Sequence, residues 1–355
     1  MRCFTLSIAL LLAGSLCADE VFVKNKEKPL KGTVQKESAK GVQLAGKEFI
    51  PAEDILDIHY DLKTENKAVL DSYQLAYAKD RESQEKTTGR RPNMEAAMFE
   101  YDAAATKLEA GQEFAKRNME FRIAVLRARV STEFRATLTP AIKKLTDFKA
   151  KHPDSWQLSQ CLQTLAGLNI DQRDFIQADK CYQELSVAPV SDELKQEAEF
   201  LQVQMSLRQG NPQQAQTRLK ALASKLPKDS KNAIRAVVGQ AECLALMKKG
   251  PEAIKIFQQM IKDAADPGVK AMAYNGLGKS YFDQGMLKEA RWEFLWVDIV
   301  FNSDKAEHAK AIYYLWKISS ELKETEHAQE YRDFLLSDRQ FTGLEFQRRI
   351  QSEAK

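Results

Sequence analysis

Two different spacings of hydrophobic residues divide the chain. Between residues 20 and 60 they recur at every second position, as in Val21 and Val23 and again in Val42 and Leu44. This period of two is typical of half-buried strands, and turn-forming clusters separate the segments that carry it. After residue 61 the alternation stops, and the apolar residues follow the spacing of helices. The pattern predicts four or five short strands followed by helices to the end.

The strand segment, residues 19–61, resembles the SH3-like or Sm-like β modules found at the front of exported bacterial proteins. Its last strand is expected at Ile55–Ile58. So many short strands in so few residues predict a small, strongly bent barrel-like module. The resemblance implies a docking element and names no ligand.

The chain from 62 to 119 is predicted to be a helical linker with capping helices. Its first helix covers 62–86 and is broken at Gly89–Pro92, after which Asn93 is the expected N-cap of a second helix. The basic loop at 86–91 is either a solvated hinge or a site for something acidic.

An internal repeat runs through the rest of the chain. Alanines recur every 37 or 38 residues: Ala141, Ala178, Ala215, Ala253, Ala290 and Ala328. A bulky residue follows the first five of them four positions later: Leu145, Tyr182, Leu219, Phe257 and Phe294. A constant period of this size indicates stacked supersecondary units. Each alanine is expected to lie near the start of the second helix of a hairpin, with about six hairpins between residues 120 and 350.

One of these units resembles the tetratricopeptide repeat (TPR). The residues on the family's signature positions are, in order, Tyr274, Leu277, Gly278, Tyr281, Gly285, Ala290 and Phe294. The period is longer than the family's usual one of about 34 residues. The turn before Ala253 is predicted to be shortened, because Gly250 stands only three residues ahead of it. The resemblance implies a mainly α fold, a TPR-like α-solenoid of antiparallel hairpins. It is similar to periplasmic TPR proteins that accompany outer-membrane assembly and cell-wall work.

The same unit contains the end of a phosphate-binding loop, Gly278-Lys279-Ser280. That loop needs a glycine five residues before Gly278, where this chain has Ala273, and a buried strand upstream, where it has a turn and a helical start. The repeat accounts for Gly278 as the small residue at which the two helices of a hairpin approach each other. We therefore predict no nucleotide site.

The first 18 residues predict a secretory signal peptide cleaved after Ala18. One arginine, an apolar run over 6–13 and a small-residue end precede Asp19. In the alternative interpretation, Cys17 would carry a lipid. Lys and Arg number 53 against 50 Asp and Glu, a balance that does not favour nucleic acid as a partner. The predicted location is the periplasm or cell envelope, without a transmembrane helix.

No catalytic or metal-binding constellation is found, so we predict a protein that is not an enzyme and uses no cofactor and no metal. The histidines lie far apart: His59, His152, His308 and His327. Acidic residues are expected on solvated helix faces. Cys161 and Cys181 fall in the two helices of one hairpin, where they either pair or stay as buried thiols. Trp292 and Trp296, one turn apart, either pack between repeats or offer a carbohydrate-stacking surface.

The predicted function is a scaffold that binds a protein or peptide partner. In TPR arrays the first helices of the hairpins line a concave groove. Transferring the register of Tyr274 by 38 residues predicts that five residues face it: Asn275, Lys279, Lys310, Tyr313 and Lys317. These would hold an acidic or C-terminal carboxylate peptide, unless the lysines only solvate an exposed face. The alternative function is a structural envelope factor that self-associates or contacts the outer membrane or peptidoglycan.

Overall fold

The computed structural model describes residues 18–85, 89–134, 136–228 and 230–353. The chain divides into two compact units, one up to Ala198 and the other from Glu199. Of the predicted signal peptide only Ala18 is described; residues 1–17, with Cys17, lie outside the described residues. Among the described helices, none combines the length and the apolar character that crossing a membrane requires.

Six short strands begin the first unit and form two antiparallel sheets. The strands are β1 (Asp19–Val23), β2 (Leu30–Gly32), β3 (Val34–Ser38), β4 (Gly41–Leu44), β5 (Phe49–Pro51) and β6 (Ile55–His59). Their orders are β2-β1-β6 and β3-β4-β5, so the sheets do not close into the predicted barrel. One edge of each sheet is a three-residue strand, β2 or β5, which leaves few backbone groups to continue a ladder on that side.

The two sheets share one hydrophobic core with three helices, α1 (Lys67–Glu85), α2 (Arg90–Lys107) and α3 (Glu113–Glu133). Leu44 and Ile58 from the sheets and Met119 from α3 are all almost completely buried in it. The domain boundaries at residues 61 and 119 stay predictions, and the core continues across both positions.

Helix α2 begins earlier than its sequence signals suggest. Its N-cap is Gly89, whose φ of 69° lies in the left-handed region, so the expected cap at Asn93 is wrong. Pro92 falls in the first turn instead of before the helix. A proline is tolerated there because the N–H groups of the first turn have no partner within the helix.

Buried carboxylates connect β6, α1 and α3. Asp57 on β6 and Asp80 on α1 both form ion pairs with Arg122 of α3, each at 3.0 Å. Asp80 is 1% exposed. The expectation that acidic residues lie on solvated helix faces is therefore wrong here. A buried charge requires a partner of opposite charge, and Arg122 supplies it for both.

Glu37 on β3 makes a second buried contact with α3. Its carboxylate accepts a hydrogen bond from the Tyr60 hydroxyl and forms an ion pair with Arg117 at 3.2 Å. Burial raises the pKa of Glu37 to about 7, although the hydrogen bond from Tyr60 and the charge of Arg117 both lower it. Glu37 therefore titrates near neutral pH.

The rest of the chain consists of helices joined by short turns. They are α4 (Thr139–Lys151), α5 (Leu158–Asp171), α6 (Phe175–Val187), α7 (Asp192–Arg208), α8 (Pro212–Lys225), α9 (Lys231–Leu246), α10 (Gly250–Asp263), α11 (Pro267–Phe282), α12 (Leu287–Ile299), α13 (Lys305–Glu321), α14 (Thr325–Ser337) and α15 (Glu345–Glu353). Consecutive helices from α4 to α6 and from α8 to α15 pack against each other, and Phe200 and Val203 of α7 share a hydrophobic core with α8 and α9. The predicted fold class, mainly α with TPR-like hairpins after a small β module, is confirmed.

The repeated alanines lie near the start of the second helix of each hairpin. Five of them are completely buried: Ala141, Ala178, Ala215, Ala253 and Ala290. Ala328, in the last hairpin, is half-buried. The bulky residues four positions after the five buried alanines are buried as well: Leu145, Tyr182, Leu219, Phe257 and Phe294. The small residue and the bulky one a turn later thus recur as a buried pair.

A residue in the left-handed conformation ends the first helix of five hairpins. It stands five positions before the repeated alanine, with φ between 61° and 76°, and the set is Arg173, Gly210, Lys248, Gly285 and Lys323. The turn before Ala253 therefore has the same length as the others, and the prediction that it is shortened is wrong. Lys248, rather than Gly250, takes the left-handed position. A residue with a Cβ adopts this conformation at a cost of roughly 1–2 kcal/mol.

Two glycines let α11 pack closely between its neighbours. A Cβ at Gly278 would lie 2.9 Å from Cζ of Phe294 on α12, the second helix of the same hairpin. A Cβ at Gly276 would lie 2.2 Å from Cε1 of Phe257 on α10, in the preceding hairpin. Gly278 thus lies at the approach expected from the repeat, whereas the role of Gly276 is missed by the sequence pattern.

The cysteines of the described chain, Cys161, Cys181 and Cys243, are free and buried. Burial raises the pKa of the Cys161 thiol to about 12 and that of Cys181 to about 11. Of the two alternatives for Cys161 and Cys181, the structure has the buried thiols. Both stay protonated at neutral pH and act as small apolar residues.

Candidate binding groove

Helices α9, α11 and α13 are the first helices of successive hairpins in the second unit. Each begins at a polar cap, because the side chains of Ser230, Asp266 and Asp304 accept hydrogen bonds from backbone N–H groups of the first turn. Helix α11 contacts both α9 and α13 in addition to α10 and α12. The three first helices therefore lie side by side and form one continuous surface.

A cavity of about 380 Å³ opens on this surface. Helices α9, α11 and α13 form its walls together with the short helix α15, and its polar and aromatic walls include Glu242, Lys279, Glu307, Lys310, Tyr314 and Arg349. Both signs of charge and an aromatic ring are thus available to an occupant.

The cations of this cavity differ in how they are paired. Lys279 forms an ion pair with Asp283, the C-cap residue of α11, and Arg349 pairs with Glu345 at 2.7 Å on α15. The side chain of Lys310, by contrast, forms no hydrogen bond or ion pair in the part of the chain that the structure describes. Its ammonium group is the cation that can meet an incoming carboxylate without first losing a partner.

The acidic residues of the cavity show the same contrast. Glu307 accepts a hydrogen bond from Nδ2 of Asn275 at 2.7 Å, which fixes its carboxylate. Glu242, on α9, has no such partner within the described ranges. A segment that presents a carboxylate to Lys310 and a donor group to Glu242 would match the charges of this cavity.

The predicted groove residues divide into two groups. Lys279 and Lys310 lie together on the cavity wall, and Lys317 is half-buried farther along α13. Asn275 and Tyr313 are 0% and 3% exposed, so the prediction that they face a groove is wrong.

The burial of Asn275 follows from the packing of α11, which has neighbours on several sides. Its Nδ2 donates to the backbone oxygen of Glu307 at 2.9 Å as well as to the Glu307 carboxylate, and so joins α11 to the first turn of α13. Its Oδ1 is buried without a hydrogen-bond partner. Asn275 holds two helices together instead of contacting a ligand.

Tyr313 is buried because helix α15 covers it. Its hydroxyl donates to the carboxylate of Glu353, with 2.8 Å to either oxygen, and Nζ of Lys317 lies 3.3 Å from the same carboxylate. Burial and the Glu353 carboxylate raise the pKa of Tyr313, and the Tyr313 hydrogen bond and Lys317 lower that of Glu353. Two residues predicted to hold a partner's carboxylate thus hold one from the chain itself.

The repeat pattern does not predict helix α15 as a separate element, because the predicted repeats continue to residue 350. Its signal is short: Leu344, Phe346 and Ile350 at roughly helical spacing, with Gly343 before them in the left-handed conformation at a φ of 80°. Nine residues give too few turns for a periodic pattern to be distinguished from a loop.

The segment that ends in Gly278-Lys279-Ser280 lies inside α11, which runs unbroken from Pro267 to Phe282. The Ser280 hydroxyl donates to the backbone oxygen of Gly276 at 2.8 Å, one turn earlier in the same helix. A phosphate-binding loop needs free backbone N–H groups that converge on the ligand, and within a helix these groups are already bonded.

The four histidines are in separate environments. His59 stacks on Tyr73 and Tyr77, with ring centroids 5.2 and 4.4 Å apart, while His152 and His308 contact single carboxylates. Within the described residues, no group of three or more histidine, cysteine or acidic residues is arranged to hold a metal ion.

The tryptophans of α12 do not pack as ordinary core residues. Trp292 is 69% exposed, so packing between repeats is wrong for this residue. Trp296 is 47% exposed and stacks on Tyr274 with ring centroids 5.8 Å apart. Ile299, 69% exposed, continues this outer stripe of α12.

No family model matches the sequence, and no curated protein matches it. Among solved structures, a tetratricopeptide repeat protein from Parabacteroides merdae is 17% identical, with a TM-score of 0.47, over 79% of this chain and 98% of that one. A Rap protein complexed with competence and sporulation factor is 16% identical, with a TM-score of 0.45, over 80% of this chain and 79% of that one. PilW, described as a widely conserved type IV pilus biogenesis factor, is 16% identical, with a TM-score of 0.39, over 64% of this chain and 97% of that one.

Each of these TM-scores is below 0.5. The fold is therefore assigned from the helices of this chain itself. Six hairpins repeat the alanine position, which is completely buried in five of them, and five hairpins repeat the same left-handed turn. The chain is a TPR-like array of helix hairpins preceded by two small antiparallel sheets.

Proposed function

We propose that this protein is an exported, non-enzymatic scaffold of the periplasm or cell envelope that binds a segment of a protein partner in the cavity beside α11 and α13. The observation that carries the proposal is Lys310, whose side chain has no partner among the described residues and lies on the wall of a cavity of about 380 Å³ formed by α9, α11, α13 and α15. The partner segment carries a carboxylate that meets this lysine.

The groups around Lys310 suit a peptide better than a small metabolite. Tyr314 and Phe346 supply aromatic surface, and Lys279 and Arg349 already have partners on their own helices. Charge-assisted hydrogen bonds contribute about 1.5–3 kcal/mol when they form away from water, and half-exposed ones contribute less. Affinity therefore requires several contacts along an extended or helical segment, as an interface with a polypeptide supplies.

A pair of charge reversals tests this proposal. The double variant Lys279→Glu with Lys310→Glu should lose at least tenfold in partner affinity, because two of the three cations on the wall become anions that repel the partner's carboxylate. The matched control is Lys288→Glu, an exposed lysine on α12 that does not line the cavity. Partner capture from an envelope extract, followed by titration with the purified partner, measures the effect. Equal capture by the wild type and the double variant would move the binding site elsewhere, with the β module as the next region to test.

Export is a separate part of the proposal and has its own measurement. The apolar run at 6–13 and the small residues before Asp19 support cleavage after Ala18. The intact mass of the protein recovered from the envelope fraction should correspond to a chain that starts at Asp19. A chain that keeps residues 1–18, or a lipid mass on Cys17, would contradict this part.

A second candidate function, a structural factor that self-associates, is favoured by the outer face of α12. Trp292, Trp296 and Ile299 form an exposed apolar stripe there. Contiguous exposed apolar surface of this kind marks interaction sites in many soluble proteins. Sedimentation over a hundredfold range of concentration distinguishes the two functions, because only self-association makes the mass depend on concentration.

A further inference from the structure

We infer that the α13 surface under helix α15 is the recognition site for the partner, and that it takes an amphipathic helix with an aromatic residue, an apolar residue four positions later and a carboxylate seven positions later. In this view α15 is a tethered occupant that the partner's helix replaces. The inference rests on the proposed scaffold function and specifies the class of partner.

The first observation is the spacing of the contacts that α15 makes with α13. Phe346 lies against Tyr313 with ring centroids 5.3 Å apart, Ile350 is completely buried, and Glu353 meets Tyr313 and Lys317. These residues of α15 follow each other at intervals of four and three, so they form one face of the helix. Recognition of a helix in a groove uses this spacing of anchors.

The second observation is that the cavity and the α15 surface are continuous. Phe346 and Arg349 of α15, together with Leu344 just before this helix, form part of the cavity wall with Lys310 and Tyr314 of α13. The cavity is therefore the part of the α13 surface that α15 leaves uncovered. A helix longer than the nine residues of α15 could cover both parts at once.

The third observation is that α15 is too short to form a stable helix in isolation. It has nine residues, and isolated helices shorter than about 12–15 residues are marginal in water. The ion pair of Lys317 and Glu353 is half-exposed, at 34% and 40% for the two side chains. Helix α15 therefore depends on the α13 surface for its structure, and a competing helix that binds the same surface can displace it.

The test measures binding of a fluorescein-labelled peptide with the sequence of residues 342–353, TGLEFQRRIQSE, to the full chain by fluorescence anisotropy. The wild-type chain should bind weakly, because its own α15 occupies the site. Glu353→Ala in the chain removes both the Tyr313 and the Lys317 contact and should raise the affinity at least fivefold, since a larger fraction of the site is open. The matched control is Gln351→Ala, which changes an exposed residue of the same helix that does not line the cavity, and it should leave the affinity unchanged.

A charge exchange identifies the contact itself. Lys317→Glu in the chain should weaken binding of the unmodified peptide. A peptide that carries Glu353→Lys should bind this variant chain more tightly than it binds the chain with Lys317 intact. Hydrogen exchange of α15, read by mass spectrometry, should speed up when the peptide binds, because the displaced helix loses its protection.

Three outcomes would overturn the inference. If Glu353→Ala leaves the peptide affinity unchanged while α15 exchanges no faster, α15 is a permanent part of the core. If Glu353→Ala makes the chain dimerise, the occupant is α15 of a second copy instead of a partner's helix. If the partner depends on Lys310 but does not compete with the peptide, the proposed scaffold function stands and this inference fails.

Discussion

The packing of α11 gives a prediction in which a substitution that usually stabilises a helix should destabilise this one. The change is Gly276→Ala. In an unobstructed helix interior, glycine to alanine stabilises by about 0.8–1.0 kcal/mol. At Gly276 the new Cβ would lie 2.2 and 2.3 Å from Cε1 and Cζ of Phe257.

The size of the effect follows from these distances. Carbon atoms in good contact are about 3.5–4.0 Å apart, so the Phe257 ring would have to move by over 1 Å. Phe257 is 1% exposed and packs in a core with Leu244 and Leu277, which leaves it little room. Overpacking costs about 1–3 kcal/mol. We take the upper end of that range and subtract the gain in helix propensity. Gly276→Ala should then lower the free energy of unfolding by about 2 kcal/mol.

Two glycines serve as controls. A Cβ at Gly278 meets Phe294 at 2.9–3.0 Å, so a shift of about half an ångström suffices and the net effect of Gly278→Ala should be near zero. A Cβ at Gly167, inside α5, meets nothing within 4 Å, so Gly167→Ala should stabilise by about 1 kcal/mol.

The assay is urea unfolding. Tryptophan fluorescence monitors the substitutions in the second unit, which contains Trp292, Trp296 and Trp316, and circular dichroism monitors Gly167→Ala. At the corresponding contact one hairpin earlier, Gly239 faces a leucine, Leu219. Phe257→Leu combined with Gly276→Ala should therefore recover most of the loss. A double-mutant cycle should give a favourable coupling of about 1–2 kcal/mol. The packing argument is refuted if Gly276→Ala stabilises as Gly167→Ala does, or if the cycle shows no coupling.

The remaining predictions concern the turns and the β module. Lys248→Gly should stabilise the protein by about 0.5–1 kcal/mol, because it removes the cost of a left-handed lysine. Gly285→Ala, at the same turn position, should destabilise by a similar amount, since its Cβ meets nothing within 4 Å and only the backbone strain changes. Urea unfolding measures both, and equal signs for the two changes would contradict the assignment of the turn. For Glu37, whose folded pKa of about 7 lies above the ordinary 4.5, the folded chain keeps a proton that the unfolded chain has lost, so stability should fall as the pH rises from 4.5 to 7. The total fall is about 3 kcal/mol for a shift of this size; Glu37→Gln should abolish it, and an unchanged slope of stability against pH in that variant would show that other groups cause it.

The hairpins could be predicted from the sequence because each one carries its own local signal. The repeated alanines and the bulky residues four positions later are one turn apart on the same helix, so a single sequence reveals both. The turn was harder to predict. Glycine marks the left-handed position in two hairpins, but arginine or lysine takes it in three, Arg173, Lys248 and Lys323. The packing of the two helices of a hairpin fixes where the first helix ends and the second begins. The residue at the turn position must then adopt the left-handed conformation, whatever its type.

The β module shows a different limit. Alternation identified strands, since the period of two is a property of each strand alone. Whether strands close into a barrel or form two sheets depends on which edges pair, and this is decided by contacts between segments that are distant in sequence. The buried ion pairs of Arg122 with Asp57 and Asp80 have the same character, because each partner alone looks like an ordinary surface residue.

The site residues were the least predictable, and α11 shows why. Residues 275–278 are four consecutive buried positions, more than one full turn of a helix. The prediction of groove residues from the repeat register assumes that each first helix has one buried face and one open face. Helix α11 instead contacts α9, α10, α12 and α13, so only a narrow strip that includes Lys279 remains open. A strip that narrow cannot supply a binding surface from one helix, which is why α11 contributes only Lys279 to the cavity and most of the wall comes from α13 and α15.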